Sequence, residues 1–180
     1  DVVIGVAASG GTPYTVAAID AARARGAMTI GIANNGEAPL LAAAEFPVLI
    51  ETGVEVIAGS TRMKAGTAQK IALNLFSTQL MVRLGRVHGG LMVQMRVTNA
   101  KLRRRGAEMV ARIGGCTRED AVRALEAAGG DVKLACVIAK GAPAAEAAAI
   151  LERNGGHLRA ALAEAEAGAL PDIDDGSQVF

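Results

Sequence analysis

The chain has 180 residues and a formal net charge of +1, with 51% hydrophobic and only 21% charged residues. That composition excludes a disordered polymer, and the length suits one good-sized domain or one domain with a small appendage. The small net charge hides a pattern: residues 1–60 sum to −4, residues 61–112 to +10 and residues 113–180 to −5. Aromatic residues make up 2% of the chain while Ala is abundant, so its core must come from closely packed aliphatic elements. No uncharged apolar stretch is long enough to span a membrane, and there is no basic-then-apolar signal segment. Cys116 and Cys136 lack zinc-ligand spacing and are too few for a disulfide scaffold, so both are expected as buried small side chains, with no metal site.

In chain order, Val2–Ala8 is a continuous small-apolar run, the pattern of a strand covered on both faces. Ser9-Gly10-Gly11-Thr12-Pro13 breaks it, and Tyr14–Arg25 reads as a helix with Thr12 as N-cap and Pro13 in its first position. Met28–Ala33 is a second buried strand, Asn34-Asn35-Gly36 a turn, Leu40–Ala44 a short helix and Phe46–Ile50 a third strand. Strand–helix–strand at this spacing implies a parallel α/β sheet. Because Val2 already reads as core strand, an N-terminal part is expected to precede Asp1. Ser60-Thr61 is expected to open a long helix to Gly85, apolar on two sides and hence covered by its own sheet and by a second subunit.

Val97–Arg112 reads as another helix, with Lys101, Arg103, Arg104 and Arg105 on its solvent side. With almost no aromatics to stack on bases, that run is a solvated face and not a nucleic-acid site. Beyond it lies an internal repeat. Leu125-Glu126-Ala127-Ala128-Gly129-Gly130-Asp131-Val132-Lys133 parallels Leu151-Glu152-Arg153-Asn154-Gly155-Gly156-His157-Leu158-Arg159, each a helix, a Gly-Gly stop and a second helix. The expected organisation is a domain at 1–112, a helical repeat subdomain at 113–167 and a flexible tail at 168–180.

Two segments carry candidate chemistry. The first is Ser9–Pro13, at the carboxyl end of the first strand, where glycines let backbone approach a ligand and free N–H groups attract anions. It matches neither dinucleotide nor nucleoside-triphosphate fingerprints. The second runs from Glu55 to Lys70 and gathers a carboxylate, hydroxyls and the cations Arg62, Lys64 and Lys70 around a helix start. Cations in a first helical turn oppose the macrodipole, and a ligand phosphate there would compensate. There is no nucleophile elbow, and His88 and His157 stand alone.

Together these segments resemble the N-acetylmuramic acid 6-phosphate etherases, members of the sugar isomerase (SIS) superfamily. The resemblance rests on Ala7-Ala8-Ser9-Gly10 with Thr12-Pro13-Tyr14, on Gly53, Glu55-Val56 and Gly59 through Lys70, and on Leu73-Asn74, Gly89, Leu91-Met92-Val93 and Asn99-Ala100-Lys101-Leu102. It suggests the C-terminal two-thirds of such a protein. It implies an SIS-type flavodoxin-like three-layer parallel sheet with a C-terminal helical subdomain, acting as a cytoplasmic homodimer. The implied reaction cleaves the D-lactyl ether of N-acetylmuramic acid 6-phosphate to N-acetylglucosamine 6-phosphate and D-lactate, in cell-wall sugar recycling, without a cofactor.

By motif position, Ser9, Gly10 and Thr12 would hold the phosphosugar, Ser60, Thr61 and Arg62 would line the same pocket, and Glu55 would contact the sugar or tune the site. The resemblance places the catalytic glutamates upstream of the position matching Asp1, leaving Glu55 as the one acid/base candidate within the chain. Gly11 stands where the family commonly has Arg, His88 where Tyr is frequent, and Gln94 where an acidic residue is usual. The alternative reading is a non-catalytic regulatory protein that binds a sugar phosphate.

Overall fold

The protein is described here from a computed structural model covering residues 1–169. Nearly all of the tail expected at 168–180 therefore lies outside the described residues. The chain divides into two compact units, one spanning Asp1–Thr78 and the other beginning at Gln79.

The first unit is α/β. Strands β1 (Val2–Val6), β2 (Met28–Ala33) and β3 (Phe46–Leu49) pair in parallel in the order β1-β2-β3. They alternate with α1 (Pro13–Ala24) and α2 (Pro39–Ala43), and α3 (Lys64–Arg83) follows. Register runs from Val2 opposite Met28 to Val6 opposite Ile32, and from Ile30 opposite Phe46 to Ala33 opposite Leu49. The expected α/β class with a parallel sheet is what is found.

Alternation along β1 assigns its two faces. Val3 and Ala7 pack with Ile19 of α1 and Leu40 of α2, both 0% exposed. The helices come so close that a Cβ on Gly5 would lie 2.8 Å from the Ile19 side chain, and one on Gly31 2.7 Å from the Leu40 carbonyl. Buried Thr29 is satisfied, its Oγ1 accepting from the Glu45 N–H at 3.0 Å. On the opposite face, Ile4, Ile30 and Ile32 share an apolar cleft of about 410 Å³ with Ala72, Leu73 and Phe76 of α3.

Helix α3 begins at Lys64, four residues after the expected start at Ser60. Its apolar residues Ile71, Leu75, Phe76, Leu80 and Val82 remain substantially exposed in the single chain, and Ala65 is its one buried residue.

The second unit starts with the end of α3 and a two-stranded antiparallel hairpin, β4 (Val87–His88) and β5 (Leu91–Met92). Its loop is Gly89-Gly90, both at positive φ, a two-residue hairpin connection. Helix α4 (Ala100–Gly114) starts three residues later than expected because Asn99 is extended and its Oδ1 accepts from Leu102 N–H at 2.9 Å. Val97, before it, donates to the Gly130 carbonyl at 3.0 Å. Then come α5 (Arg118–Ala127), α6 (Val132–Ala139), α7 (Ala147–Arg153) and α8 (Leu158–Ala169).

Met109 and Val110 of α4 share one core with residues of α5 to α8. The repeat is structural as well as sequential. Gly130 N–H donates to Leu125 O at 2.9 Å and Gly156 N–H to Leu151 O at 2.8 Å, while Gly129 and Gly155 donate to Glu126 and Glu152. Lys133, 8% exposed, fastens the copies by donating from Nζ to the Gly156 carbonyl at 2.6 Å. Cys136 is fully buried and its thiol is pushed up to about 12 by desolvation, so it behaves as a small apolar side chain. Cys116, contrary to expectation, is half-buried. Lys101, Arg103, Arg104 and Arg105 are solvent-exposed as expected, with Arg103 4.0 Å from Glu126.

Candidate functional site

The loop Ser9–Thr12 leaves β1 at the carboxyl end of the sheet, where open α/β folds place ligands. Gly10 is buried at φ +66°, and a Cβ there would fall 2.2 Å from the Ala38 Cβ. Its carbonyl accepts from Leu40 N–H at 3.0 Å, so the loop is fastened to the start of α2. Thr12 occupies the N-cap position of α1, but its hydroxyl makes no capping bond. The Thr12 carbonyl instead accepts from Thr15 and Val16 N–H at 3.0 and 3.2 Å. Both hydroxyls of the loop are solvent-exposed; that of Ser9 accepts only a long 3.5 Å bond from Gly11 N–H. At Gly11 a Cβ would meet nothing within 4 Å and φ is not positive, so neither backbone nor packing requires glycine there.

The second segment folds differently from expectation. Ser60 and Thr61 precede α3 without capping it. Glu55 is the cap: its carboxylate accepts from Lys64 N–H at 3.0 and 3.1 Å and from Ala65 N–H at 3.0 Å. Those backbone donors, Ala65 foremost, hold the Glu55 carboxyl below the usual range. Lys64 turns its ammonium back to the Val54 carbonyl at 2.7 Å. A negative charge at this helix start is thus supplied from within the chain. Glu55 is an ionised acceptor with both oxygens engaged, an arrangement unsuited to donating a proton. Thr61 closes the turn by accepting at its carbonyl from Gly66 N–H at 2.8 Å, and Ser60 N–H donates to Ile57 O at 3.0 Å. Arg62 is exposed and makes no ion pair among the described residues.

A pH consequence follows. Because the folded carboxyl of Glu55 titrates below its unfolded value, its contribution is present above about pH 4.5 and is lost as pH falls through the lower folded value. Glu55→Gln is expected to melt below the parent at about pH 7, and the gap is expected to narrow as the pH is taken progressively below 4.5. Melting curves across an acid pH series check this; a constant gap would mean that the charge on Glu55 is irrelevant.

The two segments are not hydrogen-bonded to each other among the described residues. The apolar cleft beneath α3 lacks polar groups for a phosphosugar and is a separate feature. Of the departures, His88 is half-buried, and desolvation with the charge of Arg159 lowers its pKa, so it is neutral near pH 7. Gln94 lies just after the hairpin, its N–H 3.4 Å from the Arg86 carbonyl.

Comparison with known proteins decides the family. A family model for the SIS domain matches residues 1–79. The N-acetylmuramic acid 6-phosphate etherase of Deinococcus radiodurans is 56% identical over 168 residues, covering 93% of this chain and 55% of the relative. By sequence, the chain belongs to this etherase family. The proteins of the same name from Streptomyces avermitilis and Edwardsiella ictaluri are 50% and 47% identical, covering 92% and 91% of this chain and 53% and 55% of themselves. The chain spans about half the length of the curated relatives it matches, less than the two-thirds its motifs suggested. The SIS match covers the parallel sheet together with both candidate segments.

Proposed function

We propose that the full-length protein is a carbon–oxygen lyase that cleaves the D-lactyl ether of N-acetylmuramic acid 6-phosphate, giving N-acetylglucosamine 6-phosphate and D-lactate. The observation that carries this reading is the 56% identity, over 93% of the chain, to a protein of that name. The geometry fits it. A loop with two exposed hydroxyls and a glycine-shaped backbone sits at the carboxyl end of the sheet, the place for a phosphate or sugar hydroxyls. Arg62 adds an uncommitted positive charge, and Ser60 and Thr61 adjoin it.

The chemistry is an elimination followed by water addition, needing one acid and one base and no cofactor. With Glu55 engaged as a cap, those groups are assigned to the part of the etherase that the chain does not span. The biological setting is recycling of cell-wall amino sugars in the cytoplasm, by a homodimer. The exposed apolar residues of α3 support the dimer, which sedimentation would test.

The decisive experiment supplies N-acetylmuramic acid 6-phosphate to the folded full-length protein and measures D-lactate. Release supports the reading; saturable binding without release would favour a regulatory sugar-phosphate binder. Arg62→Ala is expected to weaken phosphosugar binding by about 1.5–3 kcal/mol, the scale of a hydrogen bond to a charged group. Calorimetry giving unchanged affinity would remove Arg62 from the site.

A further inference from the structure

The two candidate segments lie far apart in sequence, yet one residue outside both is bonded to the second and to the residue that immediately precedes the first. Asn34 follows β2 at the carboxyl end of the sheet. Its N–H donates to the Ala8 carbonyl at 2.9 Å, one residue before Ser9. Its Nδ2 donates to the Ile50 carbonyl at 2.8 Å, where the chain leaves β3. Its Oδ1 accepts from Gln69 Nε2 at 2.8 Å, in the second turn of α3. Since a carbonyl can only accept, the bond to Ile50 fixes which end of the amide faces Gln69. Among the described residues no other residue is hydrogen-bonded to both Ala8–Pro13 and Glu55–Lys70.

The surroundings make this link consequential. Only Ala65 of α3 is buried, so few packing contacts fix that helix over the sheet. Its start carries Thr61 and Arg62 on a turn held by Glu55 and Thr61 themselves, which sets the turn's shape but not its distance from the β1 loop. The side-chain bond from Gln69 to Asn34 supplies that distance, and it is half-buried, where competition from water is reduced. We infer that Asn34 is a positioning residue: through Gln69 it sets the spacing between the Ser9–Thr12 loop and the Thr61–Arg62 turn. The spacing is what allows one phosphosugar to be held by both. This inference rests on the phosphosugar reading above for its ligand, but not for its geometry.

Three variants of the full-length protein separate the bonds. Gln69→Glu removes the donor to Asn34 and leaves the tie to Ile50; Asn34→Ala removes both side-chain bonds; Asn34→Asp keeps an acceptor for Gln69. With N-acetylmuramic acid 6-phosphate as substrate, Gln69→Glu and Asn34→Ala are expected to raise KM by about 10-fold or more, with kcat changed far less, as displacement of a binding group by about 1 Å would do. Asn34→Asp is expected to fall between them and the parent. A merely structural role would lower the melting temperature and the amount of active protein while leaving KM unchanged, and that result overturns the inference.

Amide hydrogen exchange provides a readout that needs no substrate. Gln69→Glu is expected to speed exchange at the bonded amides of Lys64, Ala65 and Gly66 at the start of α3, whereas unchanged rates there also overturn it. If the parent protein neither binds nor turns over the phosphosugar, the etherase reading falls, and the exchange measurement still decides the role of Asn34.

Discussion

A Gly10→Ala protein is expected to lose about 2–5 kcal/mol of stability and, with it, the shape of the β1 loop. Two costs combine. The backbone at Gly10 is left-handed, φ +66°, where an L-residue is disfavoured by about 1–2 kcal/mol. The new methyl would also start 2.2 Å from the Ala38 Cβ and 3.0 Å from the Ala33 Cβ, so the loop or the entry to α2 must move. Overpacking of that kind costs about 1–3 kcal/mol. Gly26→Ala separates the terms: Gly26 is left-handed at φ +76° with nothing within 4 Å of a Cβ. Denaturant unfolding should place Gly26→Ala near the backbone cost alone and Gly10→Ala clearly beyond it. Equal losses would show that the approach of Ala38 is not limiting. Since Gly10 O is bonded to Leu40 N–H, phosphosugar affinity should fall with the loop's displacement.

Leu40→Ala is expected to be comparably severe, at about 2–5 kcal/mol, the range for truncating a fully buried leucine. Leu40 is 0% exposed and, with Ile19 and Ala44, forms the buried core between the sheet and its α1/α2 face. Helix α2 has five residues and no side-chain cap, so it contributes little stability of its own and is held by what Leu40 buries. The backbone passes within van der Waals distance of Gly31, which restricts how far the site can collapse around a cavity. Denaturant unfolding of the variant measures the loss; a cost below about 1 kcal/mol would mean that the neighbouring chain relaxes into the gap. Leu40 and Gly10 are bonded neighbours, so the double variant should depart from additivity.

The three parallel strands and α1 were legible because continuous β-branched and small-apolar runs ended at strong breakers, Gly10–Pro13 and Gly26. The helical repeat was legible from its doubled Gly-Gly. The start of α3 was not. Ser60 and Thr61 are good caps by type, but the actual cap, Glu55, sits nine residues before Lys64, beyond any local capping pattern. The same non-locality hid Asn34, which reads as one more turn residue in Asn34-Asn35-Gly36. Its role depends on Ile50 and Gln69, brought together only by the sheet. The residue types of the β1 loop signalled an exposed polar segment, and Ser9 and Thr12 are exposed. The charge argument at Arg62 and Lys64 looked for an anion at this helix start, and Glu55 supplies one there from within the chain, while Arg62 makes no ion pair among the described residues.

The doubled helix–turn–helix carries an asymmetry in what mutation can reach. The same carbonyl in each copy is fastened by a different kind of donor: Gly130 O by the amide of Val97, Gly156 O by the ammonium of Lys133. A backbone amide is present whatever residue occupies position 97, proline excepted, so the first fastening is indifferent to sequence drift. The second exists only while one side chain is long enough and charged. Of two copies with a common local design, the first is therefore protected by the polypeptide itself, and the second is hostage to a single codon.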